Sequence, residues 1–422
     1  MVKLNISLLK ASSMVFIAFI VSSLFNYLFQ IYMGRVLGPA DYGILGSLLS
    51  LLYIISVPSE TIRTTVMKFA SEFKTMGQFG EMKSLILKAM RKISLYGFVA
   101  IVIIYFISAP IAEFLHIPST FSIIILGFIF LVGIIYPVTL GMLQGLQKFG
   151  HYGINISLSS MFKLGFGFLF VGVFGFAVNG ALGAILLSSL FALVISIIPL
   201  KKILRTERVS IISSKIYRYS LPVFTAILFL TIISNIDVIL VKHFFTPTEA
   251  GYYAAASLMA KMIYFISHAF SNAMFPKASE LHVDSRHSGR ILKESLFYTS
   301  IFAVLGIVLY FLIPHFIVDL LFGAQYSPVA ELIGLFAIAI TFLSLSNVIM
   351  MYDLAIKKTK FIYPLVFSVI LEIVLIYLFH YDLLVIIKTL IGVTIILFSS
   401  LMIVNKNEFV SNDLNLSVNE IK

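Results

Sequence analysis

The stretch GRVLGPADYGILG, Gly34 to Gly46, decides how this chain is read. It lies between two long apolar runs and is built from residues that interrupt helices. A near-copy, KHFFTPTEAGYYA, begins at Lys242. Pro39, Asp41 and Gly43 match Pro247, Glu249 and Gly251 at a constant offset of 208. Proline stops one helix, and the acid can cap the start of the next. The expectation is an outer hairpin between the first and second membrane spans, copied between the seventh and eighth.

The flanking runs set the class. Sixty per cent of the 422 residues are hydrophobic and 12% are charged, against about 25% charged in soluble domains. Such a chain cannot cover itself in water, so it reads as an integral membrane protein. A hydrocarbon core of about 30 Å takes ~20 helical residues. Runs of that length give about twelve spans: 11–33, 44–67, 93–111, 120–146, 152–175, 177–200, 219–241, 251–276, 296–318, 329–350, 362–380 and 382–404. The first run, Ala11 to Met33, is too long for a signal-peptide core and lacks a cleavage site, so it reads as a retained span.

Cysteine is absent, which removes disulfides, thiol catalysis and thiolate metal sites. No metal-ligand cluster, Gly-rich phosphate loop or catalytic constellation is visible, so neither cofactor, metal nor enzymatic activity is expected. Tryptophan is also absent, leaving Tyr and Phe as interfacial anchors. A net charge of +11 would suggest nucleic acid in a soluble protein. Here 24 of the 30 Lys and Arg fall in the N-terminus, the even-numbered loops and the C-terminus. The positive-inside rule then places both termini in the cytoplasm, in a multi-pass protein of the cell membrane with no nucleic-acid partner.

The repeat extends past the opening stretch. ASE at Ala70–Glu72 matches ASE at Ala278–Glu280, after which the register drifts by a few residues. The chain therefore divides into a six-helix lobe over 1–205, a second over 206–404 and a cytoplasmic polar tail over 405–422. Six is an even number, so the two lobes insert in the same orientation. The fold class is an all-α polytopic membrane protein, two parallel six-helix lobes around a central cavity, which is a transporter architecture. The segment KFASEFKTMGQFGEMKSLILKAMRK mixes Lys with Phe, Met, Leu and Ile and reads as an amphipathic helix on the cytoplasmic leaflet.

Three stretches carry a family resemblance: GRVLGPADYGILG, GMLQGLQKFGHYG at Gly141–Gly153 and LLFGAQYSPVAELIGLFA at Leu320–Ala337. They resemble the polysaccharide-transport branch of the multidrug/oligosaccharidyl-lipid/polysaccharide (MOP) exporter superfamily, the Wzx-type oligosaccharide flippases, across nearly the whole chain. The resemblance implies a MATE-like fold and alternating access to a central cavity. Its cargo would be a polyprenyl-phosphate-linked or pyrophosphate-linked oligosaccharide whose tail stays in membrane lipid. A cation-coupled multidrug exporter of the same fold is the competing expectation. A monomer is expected.

Ionisable residues at membrane depth mark function by default. Lys163 is near the midplane of the fifth span, with Asn155 and Ser159 eight and four residues before it. It is either a cavity cation or a lysine paired with a neighbouring helix. Lys261 is the matching residue of the eighth span, with Tyr264, His268 and Asn272 following on one face. Two such lysines suit a pyrophosphate head as point charges. Arg63, three residues from Glu60, either serves the cavity, as the resemblance implies for basic residues of the N-terminal lobe, or pairs locally. Glu372 and Asp237 are candidates for a coupling proton or Na⁺, or for counter-ions of a lysine. Asn26, in the first span, is a further cavity candidate; that span carries no acid, unlike exporters that couple through an N-lobe aspartate.

Overall fold

A computed structural model describes residues 6–209, 214–283, 289–356 and 358–406. The side chains of His268 and Asn272 and the tail from 407 onward lie outside the described residues. All regular structure among them is helical: α1 (Ile6–Ile55), α2 (Val57–Thr75), α3 (Phe79–Phe114), α4 (Phe121–Gly145), α5 (Phe149–Gly167), α6 (Ala177–Ile197), α7 (Lys201–Leu204), α8 (Ser214–Ile233), α9 (Ile236–Phe244), α10 (Pro247–Val283), α11 (Gly289–Leu312), α12 (Pro314–Leu321), α13 (Ala330–Ala355), α14 (Ile362–Leu378) and α15 (Leu383–Val404), with short π and 3₁₀ turns between.

Both copies of the opening stretch break the helix. In the first, Gly38 takes φ 74° and ψ 172°, splitting α1 into two rods before Pro39. Only glycine adopts that backbone without a Cβ penalty. In the second, Phe245 is extended between α9 and α10. There Thr246 and Glu249 form a capping box: the Thr246 amide and hydroxyl donate to Glu249 Oε2 at 3.0 and 2.7 Å.

Nine helical segments among the described residues are long and apolar enough to cross a membrane. The kink at Gly38 makes two crossings of the first. The helix α10 and the shorter apolar α14 fall on the eighth and eleventh expected spans. The protein is an all-α, multi-pass membrane protein.

The chain forms two compact units, divided between Thr231 and Ile232. In the first, α1 packs on α5, α2 and α3 pack on α4, and α5 and α4 pack on α6. Close approach comes from GMLQG: a Cβ on Gly141 would stand 2.5 Å from the Arg63 carbonyl oxygen, and one on Gly145 2.6 Å from that of Met67. Small residues four apart let two helix backbones meet inside a membrane protein.

The amphipathic segment ends differently from the expectation. It is a helical hairpin, α2 turning into α3 at Gly77 (φ 71°), and not one continuous helix. Its apolar face, with Phe69, Ala70, Met82, Leu85 and Ile86, is buried against Val138, Met142, Leu143, Leu146, Leu200 and Ile203. The periodicity was real; the apolar stripe is met by protein, which sequence periodicity cannot distinguish from lipid.

In the second unit α13 is the central helix, buried along most of its length and packed by α10, α11 and α15. It carries Ala337, Ala339, Ser344 and Ser346, small enough for close neighbours, and no basic residue.

Candidate functional site: two charged loci inside the helical units

In the first unit Lys163 reaches across from α5 to α1. Its ammonium donates to Asn26 Oδ1 and lies 5.1 Å from the centre of the Phe29 ring. Asn26 also donates to Ser160 Oγ at 3.3 Å and Ser22 Oγ at 3.4 Å, and the two serines bond each other at 2.6 Å. Every partner is neutral. The lysine is held by an amide and a ring face, is half-buried, and forms no ion pair among the described residues. A cation at this depth without a counter-charge is costly unless another anion visits.

Asn155 is not part of that locus. It accepts a hydrogen bond from the Tyr136 hydroxyl and donates to the Ala192 carbonyl oxygen at 2.9 Å, tying α4, α5 and α6 together while 1% exposed. Eight residues at about 100° each leave it ~80° around α5 from Lys163. Ser160, at three residues' distance, takes the place expected of Ser159.

Arg63 pairs with Glu60 one turn away and donates to Gln144 Oε1 at 2.5 Å. Gln144 belongs to GMLQG, so that motif supplies both the close helix contact and the arginine's second partner. Arg63 is therefore charge-matched within its own unit.

In the second unit Asp237, Lys261 and Glu372 line one small cavity with Ser234 and Thr394. The remaining wall is hydrocarbon, including Phe336, Ile340 and Leu343. The cavity holds about 10 Å³, the room of a single water-sized sphere. Lys261 Nζ lies 3.4 Å from Asn235 Oδ1. Asp237 Oδ2 accepts from the Tyr253 hydroxyl at 2.9 Å. Among the described residues Asp237 Oδ1 and both Glu372 oxygens have no side-chain hydrogen-bond partner, and the two acids are 3% and 0% exposed. The structure thus brings three sequence candidates together: Lys261 faces the acids of its own unit. His268 follows on α10, with its side chain outside the described residues.

The repeat explains the pairing, although the sequence alone did not suggest it. At the offset of 208, Asn26 falls on Ser234 and Phe29 on Asp237, while Lys163 falls within a turn of Glu372. The same place in the two repeats is cationic in one unit and acidic in the other. Tyr253 and Ser22, which complete these loci, carry no sequence signal beyond that register. Lys242, at the end of α9, is 1% exposed, and among the described residues its ammonium has no hydrogen-bond partner.

No curated protein matches the chain by sequence. Solved structures match its fold. The chain is similar to a multidrug resistance MATE family transporter of the MOP superfamily in its inward-facing conformation, with TM-score 0.76 and 13% identity over 94% of this chain and 95% of that one. It is also similar to the lipid II flippase MurJ in an inward closed conformation, with TM-score 0.70 and 16% identity over 95% and 91%. Residues 32–331 match the family model described as "polysaccharide biosynthesis protein". With the fold of the MOP superfamily and that match over most of its length, the chain belongs to this polysaccharide biosynthesis protein family.

Proposed function

We infer that the protein is a flippase. It moves a polyprenyl-phosphate-linked or pyrophosphate-linked oligosaccharide across the cytoplasmic membrane by alternating access, in the assembly of a surface polysaccharide. Family membership and fold support transport in polysaccharide biosynthesis. The observation that carries the cargo is Lys163, a cation at membrane depth whose partners are all neutral. An anionic head group supplies the missing charge, and an ammonium held by Asn26 over Phe29 meets phosphate as a point charge. The MurJ neighbour is a flippase for lipid II, which agrees with an anionic lipid-linked cargo. The acids at 237 and 372 are where transport would be coupled to a cation.

The test is transbilayer movement of polyprenyl-pyrophosphate-linked oligosaccharide in liposomes containing the purified chain. Lys163→Gln is expected to slow movement by about tenfold or more, the loss of one charge-assisted contact, and Lys163→Arg to retain most of it. Equal rates for native and Lys163→Gln protein would remove Lys163 from the cargo path. Efflux of organic cations with no movement of any lipid-linked glycan would replace the flippase with a small-molecule exporter.

A further inference from the structure

The acidic cavity of the second unit contains its own cation. Its charged groups are Asp237 from α9, Lys261 from α10 and Glu372 from α14; α13 and α15 contribute only Phe336, Ala339, Ile340, Leu343, Leu390 and Thr394. Two tyrosines of α10 are also bonded there, Tyr253 to Asp237 and Tyr264 to Ser234 of the lining. Two carboxylates and one ammonium sum to a single negative charge, buried in hydrocarbon where such a charge is poorly tolerated. One more monovalent cation makes the cavity neutral.

We propose that Lys261 is a tethered cation that closes this cavity to metal ions, so that the one exchangeable charge is a proton shared by Asp237 and Glu372. Taking up the proton turns one carboxylate into a carboxylic acid and brings the cavity to neutrality. Releasing it restores the single negative charge and the attraction for Lys261. A sodium ion entering instead would stand against the Lys261 ammonium that lines the same space of about 10 Å³, where a low dielectric strengthens the repulsion. Hydrocarbon makes up most of the wall, and Thr394 already donates to the Leu390 carbonyl oxygen at 2.8 Å. The three carboxylate oxygens without a side-chain partner are acceptors for a proton, which needs no room. This deepens the transport reading and rests on it, but its test uses no cargo, so the two can fail separately.

Thermal denaturation of the purified full chain in detergent, in about 100 mM sodium against the same concentration of choline, reads cation binding as a rise in melting temperature. The native chain is expected to melt at one temperature in both salts. Lys261→Met leaves two carboxylates without their cation, and should gain a sodium-dependent rise of several degrees that Lys261→Met/Glu372→Gln lacks. Sodium stabilisation of the native chain, or a folded Lys261→Met that ignores sodium, overturns the proposal. If Lys261→Met does not fold, the native chain and Glu372→Gln decide. Native protein indifferent to sodium but stabilised by mild acid, with that acid response reduced in Glu372→Gln, supports the proton. Sodium stabilisation of the native chain, or an acid response unchanged in Glu372→Gln, sinks it.

Discussion

Asn155 shows what single residues do here. A buried amide could bind cargo, but both ends of this one are already used, by the Tyr136 hydroxyl and the Ala192 carbonyl oxygen. Asn155→Ala would leave the Tyr136 hydroxyl without this partner inside the unit, a cost of about 1–3 kcal/mol in stability. Its melting temperature should fall, while cargo movement per folded molecule stays near native. Loss of movement without loss of stability would return Asn155 to the cargo path. Lys163 is the opposite case. Its partners are neutral and its charge is unmatched, so its substitution should affect transport more than folding.

At the scale of elements, the packing of α2 on α4 is set by two glycines. A Cβ on Gly145 would stand 2.5 Å from the Ala70 Cβ and 2.6 Å from the Met67 carbonyl oxygen. Backbone cannot step aside as a flexible side chain can. Gly145→Val should therefore separate the helices and cost about 1–3 kcal/mol, as overpacked cores do, measured as a lower melting temperature in detergent. The kink at Gly38 and the capping box at Thr246 and Glu249 do the same job with different chemistry, one by a backbone that glycine alone permits and the other by side-chain hydrogen bonds. Copies of a repeat retain the break while its residues change.

For the whole molecule, the basic residues make orientation testable. Because the chain has no cysteine, single cysteines report sidedness without background. Thr75→Cys, at the exposed last residue of α2, is expected to react with a membrane-impermeant maleimide only once the membrane is opened. Asp382→Cys, exposed between α14 and α15, should react in intact cells. The reverse pattern would invert the molecule. The long apolar helices, the break at both copies of the opening stretch and the membrane class were legible in the sequence. So was the place of Lys163, Lys261, Glu372 and Asp237 along their own helices, because it follows from counting residues.

What the sequence by itself determined was the class, the repeat and the rank of each charge along its own helix. These are properties of a one-dimensional pattern: hydropathy, the positions of helix breakers and the offset between copies. Partners were decided by the tertiary structure alone. Lys261 lines a cavity with Asp237 and Glu372 because α9, α10 and α14 each turn one face to the same space. Lys163 meets Asn26 because α1 packs on α5. The amphipathic hairpin is covered by α4 and the segment at Leu200–Ile203. A side chain's depth depends on its own helix, whereas its neighbour depends on how several helices are rotated about their axes, and no single helix encodes that rotation.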